Sequence, residues 1–323
     1  MRLEYATKVK VRSNKTFRQH FEEVWKQREL QAMVLPWIIF IFIFCYLPMY
    51  GLIMAFQQYR LGDIPGFSQW VGIMHFRMFF NDPQLPLIIR NTFAISFLKL
   101  CFCFPLPIIL ALMLNEVKLT SFKRSVQTIS YLPHFVSWVV VAGLTFDLLS
   151  VDGGIVNYLL MKAGIVSEPI LFLGEKAYFW PILVITDLWK EIGWNAIIYI
   201  AAISSIDQEL YQAADIDGAG RLAKIWHITL AGIRPTIVIL LVLSVGGILN
   251  AGFEQILLMT NNLNNTMVYE VSEVIDTYVY RVGISAGRFS YATAAGIFKS
   301  VLSVVLLTIA NFSARKISGE SLW

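Results

Sequence analysis

The segment LYQAADIDGAGRLAKIWHITLAGIRP, residues 210–235, lies between two long apolar runs of the chain. Its pattern predicts a short helix over Gln208–Ile216, with Asp207 as the N-cap because a carboxylate there can accept a free backbone N–H. Gly218 and Gly220 are predicted to end this helix, since glycine tolerates the left-handed conformation in which many helices finish. The segment is therefore an ordered element rather than a linker.

A second amphipathic helix is predicted after the turn, leading straight into the next apolar run. The residues of one helical face recur at the i, i+3, i+4, i+7 and i+8 positions, at Leu222, Ile225, Trp226, Thr229 and Leu230. Pro235 falls in the first turn of the following run, where its missing N–H costs little. The whole segment is thus a predicted helix–turn–helix element.

Small residues mark the surface of this element and allow another backbone to approach closely: Ala213, Ala214, Gly218 and Ala219. Such a surface suits a groove on another protein. The alternative is an interfacial helix lying on lipid, which would carry a strongly basic polar face. Asp215 and Asp217 stand on the element instead, and phospholipid would repel them, so docking on a protein is favoured.

The composition excludes a soluble globular protein. Of the 323 residues, 57% are hydrophobic and 15% are charged, and the mean hydropathy is +0.62. Soluble domains average about 45–50% apolar and about 25% charged residues. Residues 1–31 are polar and basic, and the apolar run that begins near Ala32 is too long for the core of a signal peptide. We therefore expect a membrane protein whose first apolar run stays in the bilayer.

Six stretches come close to the roughly 20 mainly apolar residues that cross a bilayer as a helix. They are residues 32–56, 91–116, 126–149, 179–204, 233–253 and 291–312. Proline, glycine or polar groups interrupt the third and the fifth stretch. The predicted organisation is a basic N-terminal segment at 1–31, a transmembrane domain at 32–313 that contains the ordered loop 205–235, and a tail at 314–323.

Lys and Arg predict the orientation in the membrane, because they concentrate in cytoplasmic loops. One set of segments holds the basic N-terminus together with Lys118, Lys123, Arg124, Arg221, Lys224, Arg234, Arg315 and Lys316. The opposite, poorer set holds Arg60, Arg77, Lys162, Lys176, Arg281 and Arg288. We expect both termini and the 205–235 loop to face the cytoplasm. Most of the formal charge of +4 then reflects topology and does not indicate nucleic-acid binding.

Three segments on the opposite side are longer than simple turns, at 57–90, 151–176 and 254–290. The second opens with the turn VDGG at 151–154, and IVNYLLMKAGI at 155–165 predicts a short helix after it. Connections of this length usually pack against something. They either cap the helix bundle or form a docking surface for an external partner, and both roles are compatible.

The 205–235 loop resembles the EAA loop of the permease subunits of ATP-binding-cassette importers. In that family Glu-Ala-Ala is followed two residues later by Asp-Gly-Ala, then by an aromatic residue, an Ile, and a Leu-Pro pair with a further Pro. The matching residues are Ala213, Ala214, Asp217, Gly218, Ala219, Trp226, Ile228, Leu230 and Pro235. Gln212 replaces the Glu and Ala231 replaces the first Pro, so an ion pair made by the family's Glu would be absent here.

By this resemblance the segment is a coupling loop whose contacts with an ATPase subunit are made by Gln212, Ala213, Ala214, Asp217, Gly218, Ala219 and Trp226. Other stretches look like the oligosaccharide and polysaccharide branch of these importers, among them LPHFVSWVVVAG at 132–143 and DLWKEIGWNAIIYIAAISSID at 187–207. The likeness is to permeases assigned to rhamnogalacturonan, lipo-oligosaccharide and alginate uptake, and of these sugars we favour alginate.

The resemblance implies an all-α fold, a six-helix type I importer permease bundle in the bacterial inner membrane. Its partners would be a second homologous permease, two cytoplasmic ATPase subunits, an extracytoplasmic solute-binding protein and the sugar chain itself. No G-x-x-x-x-G-K-[ST] occurs in the chain, so we expect ATP and Mg to be bound by the ATPase subunits. We expect this chain to bind no cofactor or metal and to be a transport subunit rather than an enzyme.

Polar residues deep in a span are costly and usually face a cavity or a partner. Five residues of the fourth span share one predicted helical face: Asp187, Lys190, Glu191, Trp194 and Asn195. Both carboxylates can reach Lys190, the Trp194 ring offers a surface for a sugar ring, and Asn195 can hydrogen-bond. The alternative is a structural ion-pair network or a latch to the partner permease, and both stay open.

Further candidates for the substrate path lie in other spans. Asn250 and Glu254 are spaced i, i+4 and are predicted to form a polar pair near the outer end of the fifth span. Lys99 and Lys299 are cations at membrane depth, and Lys299 is either paired or lines the path. A polyanionic uronate would need cations along its route.

Two other classes of protein compete with the importer. An ATP-independent secondary transporter or channel would usually show inverted repeats with paired broken helices, and the docking loop would have no purpose in it. A membrane-embedded enzyme would need a catalytic or metal motif, whereas the four His are scattered, at His20, His75, His134 and His227. His134 follows a proline at the end of a span and is expected to be structural.

Overall fold

The structure, a computed structural model, describes residues 27–323. Within this range the regular elements are helices, and β-type backbone pairing is limited to one isolated bridge between Gln57 and Trp70. The predicted all-α class is therefore confirmed for the described part of the chain. Residues 1–26, with most of the predicted basic segment and His20, lie outside it.

The described residues divide into two compact units, one that ends at Ile53 and one over Met54–Trp323. The elements that begin in the first unit are helix α1 at Arg28–Ile41, a π-helical turn at Phe42–Tyr46 and a 3₁₀ helix at Leu47–Phe56. None of the α1 side chains is buried, although its sequence is apolar from Ala32 onward. A helix that is apolar all round belongs in lipid when no protein covers it, so this element fits the predicted span 32–56.

The second unit contains the remaining helices. In chain order they are α2 (Met74–Phe80), α3 (Leu85–Cys103), α4 (Pro105–Glu116), α5 (Thr120–Tyr131), α6 (Trp138–Leu149), α7 (Ile155–Lys162), α8 (Lys176–Ser204), α9 (Gln208–Ile216), α10 (Arg221–Gly232), α11 (Arg234–Gly246), α12 (Phe253–Met259), α13 (Tyr269–Ser272), α14 (Ile275–Tyr280) and α15 (Phe289–Ser318). Short 3₁₀ or π-helical turns occupy Leu132–Phe135, Thr266–Val268 and Arg281–Ser285, and a π-helical turn at Ile225–Thr229 lies inside α10.

Three helical stretches of the described chain are long and apolar enough to cross a membrane: Arg28–Phe56, Leu85–Glu116 and Phe289–Ser318. Two further candidates are bent pairs, α5 with α6 and α10 with α11. The remaining predicted span, 179–204, lies in α8, whose 29 residues extend over about 43 Å at 1.5 Å per residue. These six stretches correspond to the six predicted spans.

The third predicted span, 126–149, is two helices that meet at 102°. Pro133 lies in the first turn of the 3₁₀ segment between them, and the Ser137 hydroxyl caps α6 by accepting a hydrogen bond from the Val140 N–H. The interruption expected from the sequence is thus a sharp bend at residues 132–137, which we call the elbow, and α5 and α6 do not form one straight span.

The fifth predicted span, 233–253, is shorter than expected. Helix α11 ends at Gly246, and residues 247–252 form an irregular stretch before α12 begins. Gly252 has a φ of +96°, in the left-handed region that favours glycine. Glycine therefore breaks the span, and Asn250 lies in the break instead of on a helix.

Buried apolar side chains continue from the long helices into the outer segments. One cluster joins Ile95 of α3, Leu183 of α8 and Ile256 of α12. The indole N–H of Trp180 in α8 donates to the Val271 carbonyl over 2.7 Å. The predicted capping of the bundle by these segments is therefore confirmed, and so is the short helix after the VDGG turn, which is α7.

The outer segments and the 205–235 loop lie at opposite ends of the bundle. Helix α8 begins beside the outer segments and ends where the loop begins. Helix α15 runs antiparallel to α11, because Gly246 packs on Leu307 while Asn250, further along, hydrogen-bonds to Lys299. The start of α15 is therefore at the outer end, and its last turns are at the end that carries the loop.

Helices α5 and α8 approach closely at Gly193. A Cβ at this position would lie 2.1 Å from the backbone oxygen of Ser130, closer than real atoms come. Small residues allow membrane helices to approach in this way. Gly193 therefore holds the elbow against the part of α8 that carries the predicted path residues.

Candidate functional site

The 205–235 loop begins as predicted. Asp207 caps α9 by accepting a hydrogen bond from the Glu209 N–H over 2.9 Å, and Gly218 follows the helix with a φ of +72°. The prediction that Gly220 also ends this helix is wrong. Gly220 has a φ of −67° and is the N-terminal flank of α10, so it starts the second helix.

Polar side chains join the two helices of the loop to each other and to the bundle. The hydroxyls of Tyr211 and Thr229 lie 2.9 Å apart, and the Arg221 guanidinium donates to both the carboxylate and the backbone carbonyl of Glu116 at the end of α4. A Cβ on Gly232 would meet the Ile206 side chain at 2.7 Å, so the loop also closes on its own start. These contacts join the two helices of the loop to each other and attach the loop to α4.

Large apolar side chains on this loop point away from the bundle. Ile216 is 87% exposed, Leu222 82% and Trp226 67%. The helical face predicted for α10 is therefore divided, because Thr229 is buried against the bundle whereas Leu222 and Trp226 are not. Together with Leu210 they form an exposed loop patch, and exposed apolar groups of this kind mark interaction sites.

The residues that the family resemblance assigns to coupling are accessible for the most part. Gln212, Ala213, Asp217, Gly218 and Trp226 are exposed, and Ala214 and Ala219 are half-buried. Their engagement with an ATPase subunit stays a prediction.

A cavity of about 250 Å³ lies among α3, α4, α8 and α11. Its polar lining residues are Ser96, Lys99, Asn195, Tyr199, Ser244 and Asn250. The cavity thus brings together three of the predicted path residues or membrane-depth cations. The remaining predicted path residues do not line it: Asp187, Lys190, Glu191, Trp194, Glu254 and Lys299.

Lys99 is the cation at the wall of this cavity. Its Nζ donates to Oδ1 of Asp187 over 3.1 Å and to Oε1 of Gln255 over 2.7 Å. The prediction that Asp187 pairs with Lys190 is therefore wrong. Helix α3 packs on α8 and brings Lys99 beside Asp187, a tertiary contact that helical spacing within α8 does not contain.

Lys299 is paired, which settles the choice left open by the sequence. Its Nζ donates to both carboxylate oxygens of Asp276 in α14, over 2.6 and 2.7 Å, and to the Asn250 side-chain oxygen over 2.6 Å. The predicted pair of Asn250 with Glu254 is wrong, because the break at 247–252 removes the helical spacing and leaves Glu254 exposed on α12.

Lys190, Glu191 and His134 form a separate cluster at the elbow. Lys190 is buried and donates from Nζ to the His134 carbonyl, and Glu191 lies 3.4 Å from Lys190 and 2.8 Å from Nδ1 of His134. The His134 ring stacks on Trp194 with centroids 4.1 Å apart. One face of the proposed sugar platform is therefore covered, and the cluster fits the alternative of a structural network.

The lysines at membrane depth are each matched by a carboxylate. The pairs are Lys99 with Asp187, Lys299 with Asp276 and Lys190 with Glu191. Pairing of this kind makes buried charge tolerable. The cavity therefore offers hydrogen-bonding groups and one cation whose charge is already balanced, a lining suited to a polar solute.

An outer polar cluster was not predicted from the sequence. The hydroxyls of Tyr278 and Tyr291 both donate to Oδ2 of Asp82. Burial opposes the ionisation of Asp82, but these hydrogen bonds and one from a backbone N–H outweigh it and hold the pKa of Asp82 below its ordinary value. Burial raises the pKa of nearby Glu273, although Arg281 donates to this carboxylate over 3.1 Å. No spacing pattern links residues so far apart in the chain.

Comparison with known proteins identifies relatives for most of the chain. Residues 104–319 match the family model described as "Binding-protein-dependent transport system inner membrane component". Protein LplB of Bacillus subtilis (strain 168) is 45% identical over 300 residues, 92% of this chain and 92% of that protein. The polygalacturonan/rhamnogalacturonan transport system permease protein YteP of the same strain is also 45% identical, over 92% of this chain and 91% of its own length.

Solved structures resemble this chain along almost its whole length. A chain from the crystal structure of a bacterial ABC transporter involved in the import of the acidic polysaccharide alginate superposes with a TM-score of 0.84 and 43% identity, covering 93% of this chain and 99% of that one. A second crystal structure, of a bacterial alginate ABC transporter in complex with an alginate pentasaccharide-bound periplasmic protein, matches with the same score and identity.

Proposed function

Since the chain belongs to the family of binding-protein-dependent transport system inner membrane components, we propose that it forms part of the membrane path of an ATP-driven importer for an acidic oligo- or polysaccharide. The chain is a transport subunit and a multi-pass protein of the bacterial inner membrane. The observation that carries the choice of cargo is the match to a chain of the alginate importer at 43% identity and a TM-score of 0.84. YteP is named as a polygalacturonan/rhamnogalacturonan permease, and polygalacturonan is also a chain of uronate units, among which we favour alginate.

The cavity fits a sugar as cargo. A sugar needs hydrogen-bonding partners along its route, and Asn195, Asn250 and Tyr199 supply them at the cavity wall. Lys99 is a cation on the same wall, and its charge is balanced by Asp187. Because the pair is held in advance, the cavity carries no unpaired charge while it is empty of cargo.

Energy enters through the coupling loop. A separate ATPase subunit would bind the exposed loop patch, and the hydrogen bonds of Arg221 to Glu116 would transmit its movement to α4. ATP and Mg are bound by two such subunits, because this chain has no phosphate-binding glycine loop of the Walker type. Closure of the two ATPases then shifts the bundle between inward-open and outward-open states, which requires that they bind the two states with different affinities.

The assembly that follows contains this chain, a second related permease, two ATPase subunits on the cytoplasmic side and an extracytoplasmic solute-binding protein. Both termini of this chain face the cytoplasm in this arrangement. The distribution of Lys and Arg supports that orientation, and so does the position of the coupling loop at the end opposite to the outer segments.

The test is ATP hydrolysis by the complete assembly in liposomes, with uronate oligosaccharides compared with neutral oligosaccharides of the same length. We expect the loaded solute-binding protein to stimulate hydrolysis with uronates and not with neutral sugars. Stimulation by neutral sugars alone would refute the uronate cargo. Uptake by this chain without any ATPase would favour the alternative, an ATP-independent transporter or channel.

A further inference from the structure

Two adjoining cavities of about 370 Å³ and about 440 Å³ open at the outer end of the bundle, where α2 meets the start of α15. Arg60 lies on the wall of the first, Arg77 on the wall of the second, and Arg288 on both. We call the two cavities together the arginine groove. The residues common to both are Met74, Met78, Arg288 and Tyr291.

The arginines of the groove are little used within the chain, although Arg288 lies over the ring of Tyr291 with 4.4 Å between the guanidinium carbon and the ring centroid. All three are exposed, and within the described residues none of their side chains makes an ion pair or a hydrogen bond. Other outer arginines are used: Arg90 donates to Asn91 and to the Glu270 carbonyl, and Arg281 donates to Glu273, to Gln84 and to Tyr269. The groove therefore holds guanidinium groups whose N–H donors have no acceptor in the described part of the chain.

The nearby carboxylates neutralise the groove only in part. Asp82 lies on its wall and attracts Arg288, and it keeps its negative charge because the hydroxyls of Tyr278 and Tyr291 that donate to it are neutral. Asp63 accepts from the backbone N–H of Arg60 and so holds the turn instead of the guanidinium. Three positive charges on the walls thus face one negative charge, and the groove has a net positive surplus that attracts anionic groups.

The groove is formed in advance of binding. The Ser290 hydroxyl at the start of α15 donates to the Gln57 carbonyl over 2.7 Å and accepts from the Tyr59 N–H over 2.9 Å. The same Gln57 carbonyl accepts from Nε2 of His75, whose ring is 5% exposed and leaves Nδ1 buried without a partner on the groove wall. Fixed walls reduce the entropy lost on association.

We propose that the arginine groove binds carboxylate side chains on the surface of the extracytoplasmic solute-binding protein. This inference rests on the proposed function, which requires such a protein at the end of the bundle opposite to the coupling loop. Guanidinium groups pair with carboxylates through two parallel hydrogen bonds. Arginine, methionine and tyrosine are also the residue types enriched in protein interfaces, and all three line this groove.

The experiment measures binding of the loaded solute-binding protein to the complete importer in lipid nanodiscs over a series of salt concentrations. The variants are Arg77→Glu and Arg288→Gln, with Arg60→Glu as a third in case either of them folds poorly. Lys162→Glu is the matched control, because Lys162 is also an exposed outer cation and lies over the ring of Tyr158 on α7, outside the groove. Basal ATP hydrolysis without binding protein reports whether each assembly is intact.

We expect each groove variant to weaken binding by about tenfold or more and to flatten its salt dependence, while basal hydrolysis and the Lys162 control stay near the wild-type values. Equal affinity and equal salt dependence in all variants would overturn the proposal. So would an effect seen only in nanodiscs of anionic lipid, which would assign the groove to headgroups, or an effect on free uronate binding alone, which would assign it to cargo. If the wild-type importer itself does not bind the solute-binding protein, the proposed function fails instead.

Discussion

Lys99 and Asp187 form an ion pair with 3.1 Å between Nζ and Oδ1, although 88 positions separate them in the chain. The same Nζ donates to Gln255, so one ammonium group joins α3, α8 and α12 at the cavity wall. Asp187 is thereby removed from the cluster that Lys190 makes at the elbow. The pair links the packing of the bundle to the lining through which cargo is proposed to pass.

Removal of Lys99 should destabilise the bundle through the charge that it leaves behind. The two side chains are 13% and 20% exposed, and an unpaired carboxylate so placed costs up to about 3–5 kcal/mol. We expect Lys99→Met to lower the unfolding temperature of the purified protein, and the double variant Lys99→Met with Asp187→Leu to recover most of the loss. Equal losses in the single and double variants would show that the ion pair is not the cause.

The break in the fifth span is expected to be intolerant of a side chain at Gly252. This glycine has a φ of +96°, and a Cβ there would lie 2.7 Å from Nζ of Lys99, so Gly252→Ala adds backbone strain of about 1–3 kcal/mol to a displaced ion pair. We expect lower stability and slower transport. Gly247→Ala is the control in the same break, because its Cβ would have no neighbour closer than 3.7 Å. Similar behaviour of the two variants would refute this account.

The sequence predicted the helices that depend on neighbouring residues, such as caps, turns and the spacing of apolar side chains. Helix α9 with its Asp207 cap and helix α7 after its turn form where the spacing placed them. The predicted Asn250–Glu254 pair failed, because that prediction required a continuous helix and Gly252 breaks it. The spans themselves follow from apolar length, and the proline at the elbow predicts an interruption of the third span but not its angle of 102°.

Contacts between residues far apart in the chain could not be predicted from the sequence. Lys99 was identified as a cation at membrane depth, yet nothing in its neighbourhood in the chain indicates Asp187 as its partner. The same holds for Asp82, which meets tyrosines 196 and 209 positions away. A single sequence contains residue types and their spacing along one helix, and these contacts depend on how helices pack.

Asp82 should make the stability of the outer segments depend on pH. Its pKa is lower in the folded chain than in the unfolded one, so its contribution is fully present above the ordinary pKa of about 4 and is lost as the pH falls through the lower, folded pKa. We expect Asp82→Asn to lower the unfolding temperature at neutral pH, with the difference from wild type shrinking below about pH 4. Glu168→Gln, at an exposed outer carboxylate, is the control. A difference that stays constant down to low pH would contradict the role of ionised Asp82.

A negative charge introduced at Ala213 in the coupling loop should leave the stability of the fold unchanged but abolish transport. Ala213 is exposed on α9, so Ala213→Asp removes no packing within the chain and the unfolding temperature is expected to stay near that of the wild type. An added carboxylate beside Asp217 opposes close contact with an ATPase groove, and we expect transport and cargo-stimulated hydrolysis to be lost while the ATPase subunits keep their basal rate. Ala163→Asp places the same change on an exposed residue of the outer segments and should leave hydrolysis unaffected. Full transport by the Ala213 variant would mean that energy reaches the bundle by another contact.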